Sequence, residues 1–421
     1  MKLIYIILDG AGDRPCKELG GKTPLEAAHK PNLDKLTSMS KCGLIYPIAR
    51  GIAPESDTAV LSLLGYSVKN YCGRGPLEAL GSGIKLKKGE LALRANFATV
   101  EDGSIIERRA GRTLTSREGT ELAKFINKNI KLENAKFTFK QTIEHRGVLI
   151  LKSKQKLSEN ISNTDVGYIK KKGISIAQSK VSKELKKCIP LENSKSAKYT
   201  AGLINEFTEK SSDLLNYHPI NLKREKRKLL PANAILLRDA GTIQPNFKKI
   251  NGSWTAVVGM PLEKGIAEAV GMKIIKVDYP ELKSTDVYQH LFDELSSEIK
   301  TSRSFLESGK IKNTYFHFKE TDIPGHDGLA SEKKKMIEKL DREFFSYLLK
   351  SDLRDTIICI TSDHCTPSEL KSHASDPVPA LVYIPGEQSD KIIKFGEKYC
   401  KRGSLKMTGS SLFKYLIAKV K

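Results

Sequence analysis

The segment 355–373, DTIICITSDHCTPSELKSH, is the feature that most restricts what this chain can fold into. It opens with a continuous apolar run at 357–360 that is rich in β-branched residues, which is typical of a strand buried on both faces. Asp363 and His364 follow this run, and His373 comes nine residues later. In open α/β sheets, ligands bind just beyond the carboxyl ends of parallel strands. An acid and an imidazole at such a strand end therefore indicate a site for chemistry.

Two other predicted strands end in the same way. Residues 2–8, KLIYIIL, are followed by Asp9, and residues 314–318, TYFHF, lead to Asp322 and His326. A single sheet would gather these acids and histidines from distant parts of the chain. Carboxylates and imidazoles suit Mn, Zn or Mg at a hydrolytic or phosphoryl-transfer centre. The combination is far more specific than any one member, because a lone acid after a strand is commonly only a turn residue.

Strand and helix patterns alternate along the second half of the chain, which predicts a doubly wound α/β fold with a mostly parallel sheet. Residues 82–236 interrupt the alternation and are predicted to form an inserted, smaller α+β domain. The strand-end acids would belong to a domain made of residues 1–81 and 237–421. A length of 421 residues fits two domains or one domain with a large insertion.

Smaller elements are also predicted. Residues 380–384 are expected to form an edge strand. Within the insert, the lysine- and serine-rich stretch 152–188 is typical of a variable surface segment, with a turn at 171–173. Residues 223–228 are expected to be a charged connector between helix and strand.

Ser56 precedes an apolar helix at 59–64. Considered alone, it is a helix N-cap worth about 1 kcal/mol. The same position can also serve chemistry, because the unpaired amides of a helix N-terminus hold phosphoryl oxygens. Together with the carboxylate and histidine set, Ser56 is the candidate nucleophile.

Several basic residues fall in or next to the predicted insert. An arginine cluster is normally a solvated surface, but guanidinium groups also bind phosphate and carboxylate through two parallel hydrogen bonds. The candidate substrate-binding residues are Arg94, Arg108, Arg109, Arg112, His145, Arg146 and Arg238.

The chain carries a formal net charge of +22, which fits nucleic-acid binding, acidic small substrates or a lysine-rich surface. The excess is mostly scattered lysine with few aromatic residues interleaved, so we expect a solvated surface rather than an RNA groove. The seven cysteines form no C-x-x-C pair and are expected to be reduced. Because no apolar run is long enough to span a bilayer, we expect a cytoplasmic protein without membrane contact.

Six long motifs resemble the archaeal-type cofactor-independent phosphoglycerate mutases of the alkaline phosphatase superfamily. These motifs are LDGAGDRP with GGKTPLEAAHKPNLDKL, ESDTAVLSLLGY, GRGPLEALGSGIKL, RANFATVEDG with RRAGR, TDIPGHDG, and TSDHCTPSELKSHASDPVP. The resemblance covers nearly the whole chain. It implies an alkaline-phosphatase-like domain with an inserted substrate-holding domain.

The resemblance also implies the chemistry. One divalent metal would be held by Asp322, His326 and His373, and a second by Asp9, Asp363, His364 and the Ser56 oxygen. Manganese is the first choice, with magnesium, zinc or cobalt as alternatives, and no 2,3-bisphosphoglycerate is required. The expected reaction is interconversion of 2-phosphoglycerate and 3-phosphoglycerate through a phosphoserine, a step of glycolysis and gluconeogenesis. A homo-oligomer is compatible with the resemblance.

Two alternatives stay open at this point. Within the same superfamily, a metal-dependent phosphatase or phosphonate hydrolase would transfer the phosphoryl group from Ser56 to water. From a different class, the basic surface could bind RNA, with affinity falling steeply as salt increases.

Asp327 and Asp376 are expected to orient His326 and His373.

The chain departs from the family pattern at several positions, none of them an expected metal ligand. These positions are Glu55, Val60, Cys365, Asp239 and the stretch 283–286, KSTD.

Overall fold

The computed structural model describes residues 1–68, 71–171, 174–178, 181–310 and 312–420. Its strands within these residues are β1 Lys2–Leu8, β2 Lys41–Ile45, β3 Glu90–Glu101, β4 Ser104–Glu107, β5 Ala135–Ile143, β6 Arg146–Ser153, β7 Tyr168–Lys171, β8 Ile174–Ala177, β9 Ala234–Gly241, β10 Trp254–Val258, β11 Lys273–Lys276, β12 Asn313–Phe318, β13 Thr356–Thr361 and β14 Val378–Tyr383.

The α-helices of the described residues are α1 Pro24–Ala27, α2 Pro31–Ser38, α3 Ser56–Leu63, α4 Arg74–Gly81, α5 Ser116–Asn129, α6 Lys195–Asn216, α7 Pro219–Lys226, α8 Pro261–Ala269, α9 Val287–Glu307, α10 Asp322–Asp327, α11 Ala330–Leu340, α12 Ser346–Leu348, α13 Glu397–Cys400 and α14 Gly409–Val420. Short 3-10 turns lie at Lys17–Leu19 and Ala110–Arg112, and a π-helical segment at Asp341–Phe345 joins α11 to α12.

The larger sheet has seven strands in the order β11-β10-β12-β1-β13-β14-β2. The first five run parallel to one another, and β14 is antiparallel to both of its neighbours, β13 and β2. This confirms the predicted mostly parallel α/β sheet. The expected edge strand at 380–384 is wrong, because β14 is hydrogen-bonded on both sides and β2 forms the edge. Sequence could not reveal this, since β2 reaches the edge from the other end of the chain.

Strand β1 shows why the sheet sequences read as continuous apolar runs. Leu3, Tyr5 and Ile7 pack into the hydrophobic core on one face of the sheet, and Ile4, Ile6 and Leu8 pack into the core on the other. Helices cover both faces, so neither face of the strand contacts water. The doubly wound arrangement thus follows from side-chain chemistry that leaves no polar face.

The smaller sheet has the order β4-β3-β6-β5, with β9 also paired to β3, and its pairs are antiparallel. All five strands come from residues 90–241, and they enclose a separate core with α5 and α6. Strand β9 extends past position 236, where we placed the end of the insert. The chain therefore returns to the larger sheet only after Gly241.

Two expectations for this region are wrong. The stretch 223–228 lies mostly within α7 instead of forming a connector. The stretch 152–188 is not simply a variable surface, because Thr164 and Asp165 are buried and their backbone amides bond to Leu237 O. Residues 172 and 173 of the predicted turn lie outside the described residues.

Helices α4 and α8 cross at two glycines. A Cβ atom on Gly81 would lie 1.8 Å from Pro261 O, and one on Gly265 would lie 1.9 Å from Leu77 O. Only glycine permits this backbone approach. The crossing matters because α4 begins at Arg74 beside the cavity described below and α8 packs on the larger sheet.

The seven cysteines are free, as expected, and all seven are buried. Within the described residues, the structure has no helix with the length and apolar character needed to cross a membrane.

Candidate active site and metal centre

The three acids that follow strands lie side by side at the carboxyl ends of the parallel strands of the larger sheet, as predicted. Strand β1 lies between β12 and β13, so Asp9, Asp322 and Asp363 follow neighbouring strands. Asp9 and Asp363 are fully buried. The amide of Gly10 donates to Asp363 Oδ1 at 3.0 Å, which joins two of the strand ends directly.

His326 and His373 face each other through ring nitrogens. Their Nε2 atoms are 3.1 Å apart, and His326 Nε2 is 3.3 Å from Asp322 Oδ2. Each Nδ1 lies beside a carbonyl oxygen, that of Lys371 at 3.2 Å and that of Pro54 at 2.8 Å. A carbonyl oxygen can accept a hydrogen bond but cannot donate one, so each Nδ1 atom must carry the ring proton. The two Nε2 atoms therefore present lone pairs. Two lone pairs at this separation repel unless a cation lies between them.

His364 repeats this arrangement at the centre of the site. Thr366 Oγ1 donates to Asp322 Oδ1 at 2.8 Å, so it accepts from His364 Nδ1 at 2.9 Å. The lone pair of His364 Nε2 then faces Asp9 Oδ1 at 3.1 Å and Asp363 Oδ2 at 3.4 Å.

These carboxylate oxygens and imidazole nitrogens therefore suit a divalent metal ion. Among the described residues, Asp9 Oδ1 and Asp363 Oδ2 are buried without a hydrogen bond, while Lys319 lies against the other oxygen of Asp9. A buried carboxylate oxygen without a donor or a cation is costly. Burial lowers the pKa of His373 well below its usual value, and the neighbouring His364 and His326 lower it further. The imidazole is thereby kept in the neutral form that ligates metal.

Ser56 lies beside these ligands. It is the first residue of α3, it is buried, and its Oγ is 3.2 Å from His364 Nε2. The N-cap is Glu55 rather than the serine itself. The Ser56 hydroxyl thus combines a helix N-terminus with the histidine and carboxylate set.

A cavity of about 180 Å³ opens above this centre, between the two sheets. Ser56, Asp322, His326 and His373 lie at one side of it. All seven predicted substrate-binding residues line it as well, namely Arg94, Arg108, Arg109, Arg112, His145, Arg146 and Arg238. Strands β3, β6 and β9 thus bring together residues that are far apart in sequence.

Acidic and aromatic partners hold part of this basic wall. Arg94 NH1 bonds to Glu78 Oε1 at 2.5 Å, and Arg108 Nε bonds to Asp165 Oδ1 at 2.7 Å. The Arg238 guanidinium lies 3.6 Å from the ring centre of Tyr168, a cation–π contact. Such partners fix the guanidinium groups before an anion arrives, which reduces the entropy lost on binding.

Other donors in the wall are unsatisfied. Among the described residues, Arg109 Nε and His145 Nδ1 are buried without a hydrogen-bond partner. Burial lowers the pKa of Arg109 to about 10, and the charge of Arg112 adds to this. Burial lowers the pKa of His145 well below its usual value, as do the surrounding arginines. An arginine-rich wall with buried donors that lack a hydrogen-bond partner fits an anionic ligand.

The sequence analysis missed several residues of the site. Arg74 and Tyr168 line the cavity. Lys319 lies against Asp9 and is 3.1 Å from Glu263 Oε1, while His317 Nε2 is 3.2 Å from Asp9 Oδ2. A histidine within the apolar run TYFHF was the available signal for His317. Tyr168 had none, because it lies in the lysine-rich stretch.

The expected roles of Asp327 and Asp376 are wrong. Asp327 is bound by Arg112, and Asp376 accepts from Arg14 at 2.7 Å. Backbone carbonyl oxygens orient His326 and His373 instead. Every residue has a backbone carbonyl oxygen, so the sequence does not show which carbonyl orients a histidine.

Two departures from the family pattern lie at the site. Glu55 Oε1 is 3.5 Å from His373 Nδ1, and Asp239 Oδ2 accepts from Arg238 NH1 at 2.8 Å. Val60 and Cys365 are buried in the core. The Asp239 carboxylate therefore offsets part of the Arg238 charge in the cavity wall.

Comparisons with known proteins agree with this site. The family model described as 2,3-bisphosphoglycerate-independent phosphoglycerate mutase matches residues 37–221. The enzymes of that name from Aeropyrum pernix and Thermococcus kodakarensis are 42% and 40% identical, over 96% of this chain and 96% and 93% of theirs.

Two solved structures also match over 100% of this chain. A Pyrococcus horikoshii protein has a TM-score of 0.74 at 30% identity, with 97% of its own chain covered. The cofactor-independent phosphoglycerate mutase of Thermoplasma acidophilum has a TM-score of 0.56 at 31% identity, with 100% covered. With this level of identity along nearly the whole length, the chain belongs to the family of 2,3-bisphosphoglycerate-independent phosphoglycerate mutases.

Proposed function

We propose that this protein interconverts 2-phosphoglycerate and 3-phosphoglycerate with Ser56 as the carrier of the phosphoryl group. The observation that carries the proposal is the position of the Ser56 hydroxyl, 3.2 Å from His364 Nε2 and at the side of a cavity lined with arginines. A nucleophile, a set of metal ligands and an anion-binding wall thus share one cavity.

Ser56 is needed because direct transfer is geometrically unfavourable. In-line displacement places the attacking and leaving oxygens on opposite sides of phosphorus, and two hydroxyls on adjacent carbons cannot do so. Ser56 Oγ instead forms the new bond to phosphorus as the bond to the substrate oxygen breaks. The serine loses its proton, and the departing glycerate hydroxyl gains one. Reversal of the step with the other hydroxyl completes the isomerisation.

The basic wall would retain glycerate while the phosphoryl group is on Ser56. Arg109 and His145 have unpaired donors in the cavity, and a carboxylate or phosphate can accept from several such donors at once. Retention separates a mutase from the phosphatase alternative, in which water would take the phosphoryl group. The insert, which carries most of the wall, therefore favours the mutase.

The metal ligands would divide into two sets. Asp322, His326 and His373 would hold one divalent ion, and Asp9, Asp363, His364 and Ser56 a second, with manganese as the proposed metal. When bound, such ions would lower the pKa of the serine hydroxyl and offset charge on the phosphoryl oxygens.

A division into two domains supports this scheme. We propose that residues 1–81 and the chain after β9 form the metal-binding domain and that the segment from residue 82 to Gly241 holds the substrate, because β9 pairs with β3 of the smaller sheet. The crossings would act as hinges that open for glycerate exchange.

Free cysteines and a role in glycolysis and gluconeogenesis fit a cytoplasmic location.

The experiment is a rapid quench of enzyme with 3-phosphoglycerate and Mn²⁺, followed by mass spectrometry. We expect phosphate on Ser56 and no mutase activity in Ser56→Ala. Ser62→Ala, a buried serine on the same helix, is the matched control and should keep its activity. Phosphate on another residue, or mutase activity in Ser56→Ala, would refute the mechanism. Phosphoserine 56 with release of inorganic phosphate alone would identify a phosphatase.

A further inference from the structure

A second histidine and carboxylate cluster lies at the cavity, apart from the ligands described above. It consists of Glu144, His290 and Glu294, whose ligand atoms all lie within 4.8 Å of one another. Glu144 is in the turn between β5 and β6 of the smaller sheet. His290 and Glu294 are one turn apart on α9, so they share a face of that helix. The cluster therefore joins the insert to the rest of the molecule.

The spacing of these atoms suits a common cation. His290 Nε2 is 2.8 Å from Glu144 Oε1 and 3.7 Å from Glu294 Oε1. Tetrahedral ligands about 2.1 Å from a zinc ion lie about 3.4 Å from one another, and the two observed distances lie on either side of this value. Two carboxylates and an imidazole are a donor set that suits zinc or manganese.

A polar atom without a partner points to a missing ligand. Glu294 is 3% exposed, and within the described part of the chain its Oε1 has no hydrogen-bond partner. This is the same atom that faces His290 Nε2. Both carboxylate oxygens of nearby Glu320 are also buried without a hydrogen bond, although Lys319 and the Glu298 carboxyl act on this group. Burying such oxygens without a donor or a cation is energetically unfavourable.

The charge around Glu294 points the same way. Burial raises its pKa, and the negative charges of Glu144 and Glu320 raise it further, whereas Arg146 acts in the opposite direction. Arg146 NH1 is already engaged with Glu144 Oε2 at 3.2 Å. Arg112 also acts on Glu144, and Lys319 acts on Glu320, whereas Arg146 is the one cation recorded beside Glu294 among the described residues. A divalent cation would add positive charge next to Glu294.

We propose that Glu144, His290 and Glu294 bind a divalent transition-metal cation such as Zn²⁺, at a structural site separate from the catalytic ligands. The ion ties the β5–β6 turn to helix α9. His145 in the turn and Arg146 at the start of β6 follow Glu144 and line the cavity. The ion therefore positions both side chains toward the anionic substrate of the proposed function.

The competing explanation needs no metal. A protonated His290 could bond to Glu144 while Glu294 stays neutral, and the cluster would then bind no ion. The two explanations differ in the number of ions bound per chain, which does not depend on mutase activity.

The experiment counts zinc in the full chain. Chelator-treated protein is dialysed against micromolar Zn²⁺, and the ratio of zinc to protein is measured by inductively coupled plasma mass spectrometry. We expect Glu294→Gln and Glu144→Gln each to bind one ion fewer than wild type. Glu298→Gln is the matched control, because Glu298 is buried one turn further along α9 and bonds to Tyr279 instead. Its count should equal that of wild type.

The same difference of one ion should persist when His326→Ala is present in both proteins, because that change affects only the catalytic ligands. Equal counts in wild type and both cluster variants, with circular dichroism showing native folds, would overturn the proposal. If a variant fails to fold, anomalous scattering at the zinc edge from wild-type crystals decides. A peak bonded to His290 Nε2 supports the site, and no peak there refutes it.

Discussion

Arg112 and Asp327 join the insert to the metal centre through two parallel hydrogen bonds. Arg112 NH1 donates to Asp327 Oδ2 and NH2 donates to Oδ1, each at 2.6 Å. Asp327 directly follows His326 at the end of α10, and Tyr288 Oη donates to the same Oδ2 at 2.7 Å. The position of the insert is therefore coupled to the helix that carries Asp322 and His326.

Asp327→Asn should disturb this coupling. The amide keeps one acceptor but leaves the Arg112 guanidinium without its charged partner, a loss of about 1–3 kcal/mol. We expect kcat/KM for isomerisation to fall about 10- to 100-fold, as measured with an assay coupled to 2-phosphoglycerate formation. Tyr288→Phe removes a single hydrogen bond to the same oxygen and should cost less than tenfold. An Asp327→Asn effect no larger than that of Tyr288→Phe would show that the ion pair does not matter.

His326→Ala should remove metal and activity together. The variant removes one of the three proposed ligands of this ion, so we expect fewer bound ions and a fall in kcat of more than about 100-fold. Metal is counted by mass spectrometry and folding is checked by circular dichroism. His29→Ala, at an exposed histidine far from the ligands in sequence, should change neither quantity. Wild-type metal content in His326→Ala would contradict the assignment.

Arg109→Lys should change the partition between isomerisation and hydrolysis. Lysine keeps the charge but cannot present two parallel donors, so glycerate escapes more often while Ser56 is phosphorylated. We expect the ratio of inorganic phosphate to isomerised product to rise about tenfold, measured in one reaction mixture. Arg227→Lys, at an exposed arginine that follows α7, should leave the ratio unchanged. An unchanged ratio in Arg109→Lys would exclude a role for Arg109 in holding glycerate.

Gly265→Ala should destabilise the fold strongly. The added methyl group would lie 1.9 Å from Leu77 O, so α4 and α8 must separate, at a cost of more than about 3 kcal/mol. Gly202→Ala is the matched change in open space on helix α6, and it should stabilise by about 0.5–1 kcal/mol. The measurement is the urea concentration at which half of each variant is unfolded. Similar midpoints for the two variants would show that the crossing can relax.

Glu397 should make stability fall between pH 5 and pH 8. Its carboxylate accepts from Thr23 Oγ1 at 2.6 Å and from Asp13 N at 3.0 Å, and burial raises its pKa to about 7. The unfolded chain releases this proton near pH 4.5, so between these values the native state holds the extra proton. Raising the pH then favours unfolding by about 1–3 kcal/mol.

The variant Glu397→Gln removes the ionisable group and should reduce this pH dependence, as measured by urea unfolding at pH 5 and pH 8. Glu369→Gln is the control at an exposed carboxyl. The same pH dependence in Glu397→Gln and wild type would assign the effect to other groups.

Much of the fold and of the candidate site was readable from local patterns. Strand β1 alternates into two apolar cores, so its unbroken apolar sequence already required helices on both faces. Asp9 and Asp363 were found because acids at the ends of such strands share one sheet edge. The arginines of β3 and β9 were found because they fall in or next to the predicted insert and because guanidinium groups bind phosphate and carboxylate.

Other features depend on contacts between distant parts of the chain. The carbonyl oxygens of Pro54 and Lys371 fix the tautomers of His373 and His326, yet a backbone oxygen looks the same at every position. The place of β2 at the sheet edge depends on its pairing with β14, which follows it by more than three hundred residues.

The sequence by itself determined which residues can carry the chemistry, because residue type and strand ends are local properties. Only the tertiary structure decided their partners. Asp327 was available to His326 in sequence, but the folded chain brings Arg112 to it, because bidentate charge pairing in a partly buried position is stronger than a neutral contact. The same folding places Glu144 beside His290, a juxtaposition that no spacing along the chain could show.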